Sequence, residues 1–274
     1  MTERIRKEKL VLSAVSEIRR IDPGIGGYKL WLMAKDMFGE GWVPGRDRFY
    51  HLLATNDLRL PKPKPRTTTN SNHRYHKYKN LIKGFVPTSS NQLWVSDITY
   101  VALRDGCCYL HIVTDAYSHK IVGWCLAETL QAVFTLEALR MAIRQTGKTD
   151  LLGLIHHSDR GAQYCCNAYT DLLRSHNISI SMTEDYNPTD NGIAERVNGI
   201  IKTEYIYRRP VFKDMVDALR QVEAYIGFYN HRRPHMSIGY KTPVVAHQEQ
   251  GLQKKCWKKK VYTKKNTTFA EPNG

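Results

Sequence analysis

Before residue 60, apolar side chains recur three times at the spacing of a helix face. Leu10, Val11, Ala14, Val15 and Ile18 predict a helix from Leu10 to Arg20, stopped by Asp22-Pro23-Gly24. Gly27-Tyr28 opens a second, with Leu30, Met33, Ala34 and Met37, closed by Gly39-Glu40-Gly41; a third runs from about Arg46 through Phe49, Tyr50, Leu52 and Leu53. From Gln92 the pattern becomes that of strands. Gln92 to Val101 comes first, then Cys107 to Thr114 and Lys120 to Leu126 around the turn Asp115-Ala116-Tyr117-Ser118-His119. Val133, Leu136, Leu139 and Ile143 mark a helix, Leu152 to His156 a fourth strand, Gln163 to Arg174 a helix and Ile178 to Met182 a fifth strand. A three-strand meander followed by alternating helices and strands predicts a mixed α/β fold. Two further helices follow. One starts near Gly192, after the helix-entry residues Thr189, Asp190 and Asn191, and turns Ile193, Val197, Ile200 and Ile201 inward. The other, between Val211 and Tyr229, does the same with Met215, Leu219, Val222, Ile226 and Tyr229.

These elements divide the chain into four regions. Residues 1–60 form a small all-α unit, whose three short helices fit a helix-turn-helix with Arg46 and Arg48 near the start of its last helix, where such units meet DNA. The other use of such a unit is to pack on the core. Residues 61–90 form a linker made extended by Pro61, Pro63 and Pro65. From Pro61 to Ser96 there are seven Lys and Arg and no acid, so the linker either tracks a DNA backbone or serves as a tether. Residues 91–247 hold the α/β core, and residues 248–274 a tail in which Lys254, Lys255, Lys258, Lys259, Lys260, Lys264 and Lys265 surround Trp257 and Tyr262. That tail either grips phosphates or stays solvated.

Charge narrows the class of partner. The 274 residues carry 41 Lys and Arg against 26 Asp and Glu, a net +15, which favours a polyanion. Basic charge also serves membranes, but no apolar run approaches the roughly 18 residues of a spanning helix, and the N-terminus lacks a signal-peptide core, so a cytoplasmic protein is expected. Six cysteines without a Cys-x-x-Cys read as reduced, mostly buried thiols. His73 and His76 lack the cysteines that would make a zinc site.

The candidate chemistry lies in three acids. Asp97 stands in the middle of the first strand, and Asp159 ends the strand Leu154-Ile155-His156-His157-Ser158. A carboxylate inside an apolar strand is costly unless a cation neutralises it. Glu195 falls in the first turn of the helix from Gly192, with Asn198 and Lys202 at intervals of three and four on the same outward face, an arrangement suited to holding a metal and a phosphate. Hard oxygen ligands without a Cys or His cluster suit Mg²⁺ or Mn²⁺. Asp115 is the rival to Asp97, but it sits where a turn wants an Asx side chain.

Asp97, Asp159 and Glu195, the last two separated by the 35 residues 160–194, resemble the DDE triad of retroviral-integrase-type transposases. The words around them resemble the second-frame (OrfB) product of insertion sequences of the IS-three group: Trp94-x-x-Asp97-x-Thr99-Tyr100, Ile121-Val122-Gly123-Trp124, His157-Ser158-Asp159-x-Gly161-x-Gln163-Tyr164 and Asp190-Asn191-x-x-x-Glu195. Tyr229-Asn230-x-x-Arg233-Pro234-His235 and Gly239-Tyr240-x-Thr242-Pro243 complete the likeness.

The resemblance implies a ribonuclease-H-like core whose first and fourth strands are neighbours, bringing Asp97 and Asp159 together. It also implies two metal ions per site and a transposase that cuts insertion-sequence ends and joins them to DNA. Lys202 would steady a phosphate, and Arg232 or Arg233 would either touch DNA or answer a helix dipole. The expected partners are end and target DNA, further copies of the chain on DNA in the nucleoid, and the upstream-frame OrfA product. Two alternatives remain: a phage- or virus-type integrase or related nuclease of the same fold, and a decayed copy acting as a DNA-binding repressor.

Overall fold

The protein is described by a computed structural model covering residues 3–60, 75–184, 192–254 and 256. The proline-lysine stretch of the linker, the helix-entry residues 189–191 and most of the lysine-rich tail lie outside the described residues.

Three helices come first, α1 (Glu3–Ile21), α2 (Gly27–Phe38) and α3 (Arg46–Thr55). The first begins earlier than its apolar stripe, because the pairs Glu3–Lys7 (3.0 Å) and Arg4–Glu8 (3.3 Å) support about two extra turns on the polar side. Val11, Val15, Ile18, Ile25, Leu30, Phe49 and Leu53 fill the core between the three helices, and Phe228 from far down the chain closes it.

The sheet is built from β1 (Leu93–Leu103), β2 (Gly106–Asp115), β3 (Ile121–Ala127), β4 (Ile155–Ser158) and β5 (Ser179–Met182), in the order β3-β2-β1-β4-β5. The first three are an antiparallel meander, and β4 and β5 run parallel to β1. Helix α4 (Ala132–Thr146), the short α5 (Ala162–Cys165) and α6 (Asn167–Ser175) cover one face around Trp94, Leu139, Tyr169 and Leu173. The other face is covered by α7 (Gly192–Ile200), a π-helical turn (Ile201–Tyr205) and α8 (Met215–His231), which bury Leu110, Ile112, Val197, Ile201, Val222 and Ile226. A short α9 (Pro243–His247) ends the described elements. This is the ribonuclease-H-like arrangement, a mixed five-stranded sheet between helices.

Three local differences have physical reasons. The helix expected over Gln163 to Arg174 is broken at Cys166, whose ψ of 149° is extended. The fourth strand starts at Ile155 rather than Leu152, because Gly153 with φ +92° turns the chain there and leaves Leu152 83% exposed. The end of the linker does not run free: the Leu81 amide donates to Ser181 Oγ (2.8 Å) and the Asn80 amide to Glu184 (3.0 Å), fixing it along β5.

Gly123 in β3 shows how tightly α4 lies on the sheet, since a Cβ there would stand 2.0 Å from the Ala138 carbonyl oxygen and 2.9 Å from the Ala142 nitrogen. Gly123→Ala should therefore cost about 3 kcal/mol, the upper end for overpacking. Urea unfolding measures it, and a loss below about 0.5 kcal/mol would contradict the contact.

Candidate active site

The parallel ladder between β1 and β4 places the first two acids. Leu93, Trp94 and Val95 pair with Ile155, His156 and His157. Continued by two residues, the same register sets Asp97 beside Asp159, just where the ladder to β4 has ended and β1 goes on paired with β2 alone. Ligand sites of α/β sheets lie at such carboxyl ends, where neighbouring strands part and leave a crevice.

Asp97 is partly buried and tightly held. Its Oδ1 accepts from the Ile98 amide (2.8 Å) and its Oδ2 from Asn198 Nδ2 (2.6 Å). Burial, and then the neighbouring Asp159 carboxylate, push it up to about 6, while Asn198, the Ile98 amide and Lys202 pull the other way. Asp159 accepts from the Gly161 amide (2.9 Å), and a Cβ on Gly161 would meet that same carboxyl oxygen at 3.0 Å. Glycine there lets the chain curl around the carboxylate.

Glu195 and Asn198 sit on α7, which packs on β1 through Ala194 against Leu93 and Val95. Glu195 is exposed, one turn ahead of Asn198. The outward face expected for all three polar residues is corrected at Asn198: it is 4% exposed and turned inward onto Asp97, and its Oδ1 has no hydrogen-bond partner among the described residues. Lys202 follows in the π turn, close enough to act on Asp97. Among the described residues no group of three His, Cys, Asp or Glu stands close enough to share a metal ion. The structure therefore brings Asp97 and Asp159 together and leaves Glu195 on the neighbouring helix.

The pair suits a divalent cation. Two carboxyl groups raise each other's cost of ionising, and an orphaned amide oxygen, a hard donor, lies beside them.

The remaining residues separate by burial. Asp115 is buried and accepts from the Asn91 amide (2.7 Å), the Ser118 amide (2.8 Å) and Ser118 Oγ (2.7 Å), a turn role. Arg46 and Arg48 are exposed at the start of α3, paired with Asp47 (3.0 Å) and Glu8 (2.7 Å). Arg232 is exposed at the C-terminus of α8. Arg233 is not: at 1% exposure its guanidinium is engaged by Glu204, which corrects the DNA contact considered for it.

Two groups escaped the sequence reading. Tyr164 is buried with its hydroxyl unpartnered among the described residues, and burial, then Asp97 and Asp159, hold its phenol well above the usual range, so it faces the acids as a neutral group. His156 underlies them, its Nε2 2.7 Å from Ser96 Oγ and 2.9 Å from the Tyr169 hydroxyl. Its place in a buried strand was the available signal.

Comparison with known proteins agrees with this architecture. The integrase core domain family matches residues 87–188, and a second integrase core domain description matches 176–243. A putative transposase for insertion sequence element IS986/IS6110 of Mycobacterium tuberculosis is 36% identical over 58% of this chain and 59% of its own length, so the chain spans less than two thirds of that relative. The transposase for insertion sequence element IS904 of Lactococcus lactis is 32% identical over 70% of this chain and 80% of its own. Among solved structures, a simian T-cell lymphotropic virus intasome in complex with the PP2A regulatory subunit B56 gamma superposes at a TM-score of 0.50 with 20% identity, covering 94% of this chain and 80% of that one, which is a likeness of fold. With a relative matched over four fifths of its length and the integrase core domain laid over the sheet and its acids, this chain belongs to the insertion-sequence transposases that carry an integrase core.

Proposed function

We propose that the chain is a metal-dependent DNA polynucleotidyl transferase that cuts the ends of an insertion sequence and joins them to target DNA. The observation that carries this reading is the Asp97–Asp159 pair at the parting of β1 and β4, mutually repelling and flanked by the helix of Glu195, Asn198 and Lys202.

In this reading Asp97, Asp159 and Glu195 would together hold two Mg²⁺ or Mn²⁺ ions. When bound, such ions supply Lewis acidity that acidifies a water or a DNA 3′-hydroxyl and stabilises the leaving oxygen. The chain's own work is positioning. Asn198 fixes the Asp97 carboxyl in one orientation, and Lys202 adds a cation where a phosphate would lie. Hydrolysis of one phosphodiester frees a 3′-hydroxyl. In the second step that hydroxyl forms a new P–O bond as an old one breaks, so bonds balance without an external energy source. Arg46, Arg48 and Arg232 meet the DNA backbone; the surface ion pairs of the first two are worth little and yield readily to phosphates. Several copies of the chain on DNA, with the upstream-frame product, would complete the assembly in the bacterial cytoplasm.

Glu195→Gln should keep fold and DNA affinity while cutting of insertion-sequence-end DNA in magnesium falls by at least about a hundredfold, the scale of losing one electrostatic stabiliser. A Glu195→Gln protein that still nicks such ends at the parental rate sinks the assignment, and a parental protein that binds ends but never cuts them is the repressor instead. Millimolar Mn²⁺ should raise the Tm of the parental protein and leave Asp97→Asn unmoved, because an ion that binds only the folded state stabilises it; equal shifts would place the ion elsewhere. In DNA-binding titrations against salt, Arg46→Ala and Arg48→Ala should each flatten the slope by about 1. An unchanged slope would assign the N-terminal helices to packing alone.

A further inference from the structure

A buried knot of charge joins the N-terminal helices to the back of the active-site helix. Glu204 lies in the π turn that continues α7, and its carboxylate receives Arg233 through two nitrogens, Nε at 2.8 Å and Nη2 at 2.7 Å, and Lys29 Nζ of α2 at 2.9 Å. Arg233, just past the end of α8, also donates to the His235 ring at about 3.0 Å and lies over the Tyr229 ring at 5.7 Å. Asp22, from the turn after α1, is fully buried 3.8 Å from Arg233. Beside it, Gly24 presses on the Glu204 backbone so closely that a Cβ would fall 2.1 Å from the Glu204 Cα.

Burying this many charges is a poor way to gain stability, since desolvation offsets most of the attraction and apolar packing would serve as well. What such a cluster does supply is one defined geometry. Glu204 follows Glu195 by nine residues, five steps along α7 and four through the π turn, and its carboxylate engages Arg233 and Lys29 rather than the acids of the candidate site. The π turn between them, a feature that often marks functional segments, lets Lys202 reach toward Asp97 while Glu204, two residues on, faces away into the knot. A helix gripped on its back by a bidentate pair has its roll about its own axis fixed. That roll decides where Glu195, Asn198 and Lys202 stand relative to Asp97 and Asp159.

The geometry points to Glu204, Arg233 and Lys29 as positioning residues: through them the docked N-terminal helices set the roll of the active-site helix, so seating of the N-terminal unit and assembly of the site are one event. This also gives a role to the sequence word at 229–235. Asn230 ties α8 to β3 by exchanging two 2.9 Å bonds with the Ile121 backbone, and Tyr229, Arg233 and His235 build the knot.

The proposal rests on the proposed active site for its catalytic consequence, but its physical core is testable without activity. Lys29→Met removes one arm of the knot from the N-terminal side and keeps a long side chain in place. Hydrogen exchange on the metal-free protein should show the amides of 192–203 exchanging roughly tenfold faster, with the β1 and β2 amides unchanged. End-DNA cleavage at saturating DNA should fall about tenfold or more, as for a small misplacement far from the chemistry, with DNA affinity unchanged. Lys29→Arg should restore both. Arg233→Lys, which keeps the charge and loses the fork, should behave like Lys29→Met or worse. Exchange in 192–203 that stays at the parental rate overturns the proposal, and so does acceleration spread evenly over the whole sheet, which would mean global destabilisation only. If the parental protein cleaves no DNA, the functional reading fails while the exchange experiment still decides the coupling.

Discussion

The short parallel ladder between β1 and β4 is the constraint on which everything else depends. Three residue pairs fix the register, and the ladder stops two positions before Asp97 and Asp159, so these two carboxyl groups arrive side by side with no strand between them. Had β4 been displaced by one residue, Asp159 would have pointed to the other face of the sheet. The surrounding polar network keeps the strand ends in place. His156 ties Ser96 of β1 to Tyr169 of α6, and His157 reaches Ser181 of β5 with Nδ1 2.8 Å from Oγ. Burial drives both His156, to about 3, and His111, to about 4, so they stay neutral and serve as hydrogen-bonding core residues rather than cations.

A second layer of organisation runs through α7. Its inner side is apolar, with Ala194 and Val197 buried, and its Asn198 amide holds Asp97 from above. Its continuation through the π turn carries Glu204 to the junction with α2 and α8. The N-terminal helices share Phe228 with their own core, so they are part of the same packed body as the sheet. One helix thus touches the central strand, the candidate site and the N-terminal unit.

Much of this was legible in the sequence because its signals are local. Apolar periodicity and Gly-Pro punctuation located the helices of the first 60 residues, the meander, and α4, while Asp115 was recognisable as a turn residue from its neighbours. The Asp97–Asp159 adjacency came from the ordered words around the acids and the fold they implied. What stayed hidden depends on partners distant in the chain or on no marked residue. Nothing local distinguishes Cys166 as a break between α5 and α6. Asn198 lies in step with Glu195 on a helical wheel, yet the helix is rolled so that the amide points in and the carboxylate out. Arg233 looked like either a DNA contact or a cation answering a helix dipole, and its real partner, Glu204, lies 29 residues upstream in a turn whose π geometry no periodicity announces.

The central claim is that Asp97 and Asp159 form one cation-binding locus. Anomalous diffraction from crystals grown with Mn²⁺ tests it most directly: the account predicts a peak between these two carboxyl groups, beside Asn198. Manganese bound only elsewhere, with the two carboxylates bare, would contradict it.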